Sequence, residues 1–217
     1  MQGKGPHNAP SWHAQSVAER PHLAMNPTIP PHNLQAHPDA WPIVQATQHW
    51  LLKAVIGLNL CPFAKAVHVK QQVRYVVSQA TSPKALAREL ARELEGLAQA
   101  DPAQTDTTLL VHPYVLEDFL DYNDFLEEAD EVLVELGLDG EIQIASFHPA
   151  YQFEGTVVDD ITNFTNRAPY PTLHLIRESS IEQATQAFPD AADIYDTNMA
   201  TMRRLGLDGW RRLMQEA

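Results

Sequence analysis

Three short apolar runs, "VRYVVSQ" (73–79), "TTLLVHP" (107–113) and "EIQIASFHP" (141–149), are separated by stretches with helical apolar spacing. This strand–helix–strand–helix–strand order constrains the fold more than any other feature. Parallel strands need a crossover, the crossover is usually a helix, and its hand is right. A fourth run, "TLHLIRE" (172–178), follows a long segment, 149–171, with few regular signals. The chain therefore reads as α/β: a mixed sheet of about four strands, the first three parallel, with helices packed on it.

The helices have readable limits. Asp39 is placed to cap a first helix bearing Ile43, Thr47, Trp50, Leu51, Ala54, Val55 and Leu58, with Pro42 in its first turn. Residues 59–72 then read as a loop. Ser82-Pro83 opens a second helix with Leu86, Leu90, Leu94 and Leu97 on one face. A third spans 115–136, with Gly137 as its C-terminal stop. Ser179 or Ser180 caps a short helix to Phe188-Pro189, and Asp190 caps a last one through Leu205 and Gly206. Trp210 and Leu213 then pack the tail onto the body.

Residues 1–38 differ from the rest. They hold seven of the sixteen prolines and five of the ten histidines and show no apolar periodicity. Such a segment cannot offset its ordering entropy, so it reads as a disordered, mobile arm, with 39–217 as one α/β domain. The net charge is −13. Lys4, Arg20 and Glu19 give the arm +1, which leaves −14 for the remainder. That balance, with no basic stripe, argues against nucleic acid and anionic membrane as partners. The helix over 115–136 carries nine acidic residues and no Lys or Arg, and reads as a solvated face. One cysteine excludes an internal disulfide; with no apolar run long enough to span a bilayer, the expected location is the cytoplasm.

The chemistry-bearing residues gather in two places. Val111-His112-Pro113 and Phe147-His148-Pro149 end two strands in the same way. In parallel strands both imidazoles would sit at the carboxyl edge of the sheet, where ligands bind in open α/β folds. An antiparallel fourth strand would start at that edge and bring His174 beside them. His112, His148 and His174, with Asp160, would then suit zinc or non-haem iron; without metal, the imidazoles would do acid–base work. The 149–171 segment would form a lid over this site. Its Tyr151, Phe153, Phe164 and Tyr170 want burial, Asn163, Asn166 and Tyr170 suit ligand contacts, and Arg167 suits a carboxylate or phosphate. The alternative for this segment is an internal network in which Asn and Asp satisfy loop backbone groups.

Cys61, in "LNLCPFAKA", is the second candidate. Free cysteine is usually buried, and a position after a helix C-terminus raises a thiol pKa. Under the expected topology its loop lies at the sheet edge opposite the histidines, so a Cys–His dyad would need that loop to wrap around the sheet.

The strings "WLLKAVIGLNLCPFAKAV", "FHPAYQFEGT" and "DDITNFTNRAPYPTLHLIRE" are similar to a bacterial family known as domain of unknown function 1415. The resemblance covers about residues 40 to 206 and implies a bacterial, soluble, single-domain protein. It implies no activity, cofactor or catalytic residue. The functional expectation is therefore an enzyme acting on a small anionic molecule, with Tyr151 or Arg167 stabilising charge beside the histidines. A thiol enzyme using Cys61 and a non-catalytic ligand-binding or interaction protein are the alternatives.

Overall fold

The computed structural model describes residues 40–187 and 194–215. The arm 1–38, the caps at Asp39 and Asp190 and the stop at Phe188-Pro189 lie outside the described residues. Helix α1 (Ala40–Trp50) runs into a π-helical turn (Leu51–Ile56). A short helix α2 (Ala64–Val69) follows within the stretch expected to be loop. Then come β1 (Val73–Val77), α3 (Pro83–Gln99), β2 (Thr107–Val111), α4 (Phe119–Glu135) and β3 (Ile142–Phe147). A 3-10 turn (Ile161–Thr165), β4 (Thr172–Arg177), α5 (Glu178–Ala187) and α6 (Ile194–Gln215) complete the described chain.

Local chemistry explains the boundaries. Ser82 accepts from the Ala85 N–H at the head of α3, and Pro83 fills the first helical position. Asp118 caps α4 by accepting from Leu120 N–H and Asp121 N–H. Gly137 ends that helix at φ 68°, a left-handed conformation that glycine adopts without a Cβ penalty. Helix α5 begins at Glu178, directly after β4, so neither Ser179 nor Ser180 is its cap. The nine acidic residues at 117–135 are all exposed, as a solvated face requires.

The sheet has four strands in the order β1-β2-β4-β3. Strands β1 and β2 pair in parallel, and β4 pairs antiparallel to both β2 and β3. The first three strands thus point the same way. The expectation that they pair with one another in parallel holds only for β1 with β2, because β4 enters between β2 and β3. Helices α3 and α4 cover one face, around Leu86, Leu90, Leu110, Tyr122, Leu173 and Leu175. Helix α1, the π turn and the end of α6 cover the other, around Val44, Trp50, Tyr75, Leu109 and Val111. Gly206 kinks α6 at φ 65°, and beyond it Trp210 packs edge-on against Phe164, ring centres 5.3 Å apart. Among the described residues no helix is long and apolar enough to cross a membrane.

Candidate functional site

Strand parity separates the three histidines. Leu173 and Leu175 both enter the α3/α4 core, so His174 between them faces the opposite side. Val111 and Phe147 face the α1 side, so His112 and His148, one residue on, turn toward α4. The expected three-histidine site does not exist in this fold. Among the described residues no three His, Cys, Asp or Glu side chains gather as a metal site.

Each imidazole has a structural setting instead. Tyr122 on α4 lies between His112 and His148, with ring centres 5.6 and 5.0 Å away. His148 Nδ1 accepts from the Ala150 N–H at 3.0 Å, so Nε2 carries the proton and donates to Leu116 O at 3.2 Å. Leu116 sits at φ 58°, a left-handed conformation that costs about 1 kcal/mol or more in a non-glycine residue. His112 Nδ1–H donates to Val115 O at 3.1 Å, while its buried Nε2 has no partner among the described residues. Burial pulls the His112 pKa down to about 4 and that of His148 below its ordinary value. On the other face, Thr107 Oγ1 donates to Leu175 O at 2.7 Å, so His174 Nε2–H is the donor in its 2.6 Å bond to Thr107 Oγ1. Burial holds His174 near 4 as well. All three are neutral side chains built into the sheet.

The Tyr122 hydroxyl ties the strand ends together. It donates to Thr172 O at 2.9 Å and accepts from the Phe147 N–H at 3.1 Å. Tyr122→Phe removes the hydroxyl that these two facing backbone groups share, and should cost about 1 to 2 kcal/mol in denaturant unfolding. Unchanged stability would show that this hydroxyl does not clasp β3 to β4.

The 149–171 segment spends its polar groups largely on itself. Asn163 is fully buried; its Oδ1 accepts from Phe153 N–H and Thr156 Oγ1–H, and its Nδ2 donates to Val157 O. Arg167 donates to Tyr151 O and Val158 O and lies 4.2 Å over the Phe164 ring. Asp160 caps the 3-10 turn by accepting from Thr162 N–H and Oγ1–H, and joins no metal-type cluster with the histidines among the described residues. Tyr151 lies tilted against Phe119 and edge-on to Phe153, ring centres 5.2 and 5.0 Å away, and Tyr170 packs against the α1-side core. Asn166 donates to Ser146 O and accepts from Thr165 Oγ1–H. These bonds make the segment a rigid wall.

That wall borders a half-open cavity of about 240 Å³. Phe147, Phe153, Thr165 and Asn166 form one side; Val55, Leu60 and Cys61 form the second; Tyr195, Asn198 and Met199 of α6 form the third. Cys61 therefore lies at the carboxyl edge of the sheet beside Phe147, not at the edge expected for it. The cause is the helical run before it: α1 and the π turn deliver the chain to this edge, and α2 carries it back to Val73. Such π turns recur at functional sites. Here Val55 O accepts from both Leu60 N–H and Cys61 N–H, and Asn198 Nδ2 donates to Leu60 O at 2.8 Å. The Cys61 backbone is thus pinned from two helices. Gly57 is required for this path, since a Cβ there would lie 2.2 Å from Lys53 O. Burial pushes the Cys61 thiol pKa up, offset in part by N–H groups of Phe63 and Ala64. Among the described residues no charged side chain lines the cavity.

Cys61 and Asn166 are the only residues of the sequence-derived candidate set that line this cavity. Phe153 was legible only as an aromatic in need of burial, and Tyr195, Asn198 and Met199 gave no signal, because the docking of α6 is a long-range event. Neither the curated proteins nor the solved structures contain a match to the chain. Residues 42–212 match the model of a family described as a protein of unknown function, DUF1415. The match runs from the first turn of α1 into the last turns of α6 and takes in every wall of the cavity, so the chain belongs to the DUF1415 family.

Proposed function

We propose that the protein binds a small uncharged molecule in the cavity beside Cys61. The observation that carries this reading is a preformed pocket at the carboxyl edge of the sheet, where ligands bind in open α/β folds, with no charged side chain among the described residues of its wall. At about 240 Å³ it is smaller than the roughly 300–1,000 Å³ typical of drug-sized ligands, so the ligand is compact. The wall is mainly aromatic and aliphatic. The Asn198 amide is spent on Leu60 O, which orients its Oδ1 as an acceptor for a ligand hydroxyl or N–H. The ligand class is therefore a compact alcohol or primary amide with an apolar body. An anion is disfavoured, since Arg167 is engaged with loop carbonyls.

Thiol catalysis is the second reading, favoured by the presence of Cys61 in the cavity wall. It is the weaker one, because burial keeps the thiol protonated and a nucleophile needs the thiolate. Ligand-observed NMR with small alcohols, primary amides and matched carboxylates tests the proposal. The neutral probes should bind to the wild type and not to Cys61→Phe, whose ring fills the cavity. Binding that survives this substitution, or a preference for the carboxylates, would refute it.

A further inference from the structure

Strand β3 is an outer strand of the sheet, and only β4 pairs with it among the described residues. The parity of the sheet is fixed by two bonds: His112 N–H donates to Pro171 O, and Glu178 N–H donates to Glu141 O. With the register of β4 against both neighbours, these turn the backbone groups of residues 143, 145 and 147 toward β4. Residues 142, 144 and 146 therefore point their N–H and C=O groups away from the sheet. Two of those groups are capped from within the chain. Ile142 N–H donates to Leu138 O, and Ser146 O accepts from Asn166 Nδ2. Ile142 C=O, both groups of Ile144 and Ser146 N–H have no partner among the described residues.

We propose that this edge is an interface between two copies of the chain, with the β3 strands antiparallel about Ile144. In that register the two Ile144 residues exchange N–H and C=O, and each Ser146 N–H meets Ile142 C=O of the other copy. The two capped groups are the ones that would otherwise have bonded to each other across the same pair. Every open group thus finds a mate and no capped group loses one. The strand sequence IQIASF holds no charge, proline or glycine, and so lacks the devices that normally blunt an edge. The other edge strand, β1, carries Arg74 in an ion pair with Glu93. The charges nearest β3, Asp139 and Glu141, lie at one end of it, so antiparallel pairing keeps those of the two copies apart.

Sedimentation of the full chain over a concentration series up to about 200 µM, high enough to populate an interface at the small end of the usual range, tests this. The wild type should approach twice its 24.3 kDa mass. Ile144→Pro removes an outward N–H that the chain's own sheet does not use, and should weaken the dimer about tenfold or more. The second arm does not depend on that variant folding. Residues 143 and 145 of opposite copies would form a non-hydrogen-bonded pair with Cα atoms about 4.5 Å apart, within disulfide reach. Gln143→Cys with Ala145→Cys, in a Cys61→Ser chain, should cross-link to a covalent dimer in oxidised glutathione. A wild type that stays monomeric throughout, a folded Ile144→Pro that dimerises equally well, or no cross-link would each overturn the proposal.

Discussion

Acidification from pH 7 to about 4.5 should remove about 5 kcal/mol of folding stability through two histidines alone. His112 and His174 are held near 4 by burial, against about 6.5 in an unfolded chain. Above pH 6.5 both states are neutral, and neither histidine makes stability depend on pH. Below it the unfolded chain takes up protons that the folded chain refuses, so stability falls with pH until the folded imidazoles titrate near 4. Each contributes about 2 to 3 kcal/mol across that window. His148, also depressed by burial, acts in the same direction. Denaturant titrations at pH 7 and 4.5 measure the effect. Equal stability at the two values would mean that the imidazoles are not buried as neutral groups. The buried His112 Nε2 makes this site the most sensitive, since a proton there would find no acceptor among the described residues.

Asn163→Ala should be nearly as damaging and should also abolish binding in the cavity. The side chain is fully buried and holds three separate parts of its segment, at Phe153, Thr156 and Val157. Alanine leaves the Phe153 N–H and Val157 C=O without mates, at about 1–3 kcal/mol each. A total loss of about 3 kcal/mol is expected in unfolding experiments. Because Phe153, Thr165 and Asn166 are set by the same segment, the wall should loosen with it. Asn163→Asp should be at least as damaging as alanine, because it sets a buried carboxylate oxygen against Val157 O. An alanine variant with wild-type stability would contradict the idea that the segment is held by this residue.

Much of the sheet was legible because its signals are local. Ser82-Pro83 marks a helix start through one side-chain bond, and Gly137 marks a stop through its positive φ. The alternation of strands and helices yields the common direction of β1, β2 and β3. It does not reveal that β4 inserts between β2 and β3, since that choice depends on the whole core. The histidine site failed for a reason already present in the sequence. Leucines at 173 and 175 bracket His174, and period-two alternation sends the three side chains to alternate faces. Edge position alone does not bring side chains together. The cavity was less accessible. Cys61 and Asn166 were in view, but their meeting depends on a π turn whose hydrogen-bond pattern leaves no simple mark in the apolar spacing. The polar residues of 149–171 divide between both earlier readings: Asn163 and Arg167 serve the segment itself, while Asn166 serves both the segment and the pocket.

The central claim, that a small neutral molecule occupies the cavity beside Cys61, can be read from the single thiol of the chain. The measurement is the rate of Cys61 alkylation by iodoacetamide, with and without a saturating small alcohol or primary amide. The unliganded thiol should react slowly at neutral pH, since burial raises its pKa, and the bound probe should slow it further, by about tenfold or more at concentrations of ten times Kd and above. An alkylation rate unchanged by a probe known to be bound would place that probe elsewhere and contradict the account.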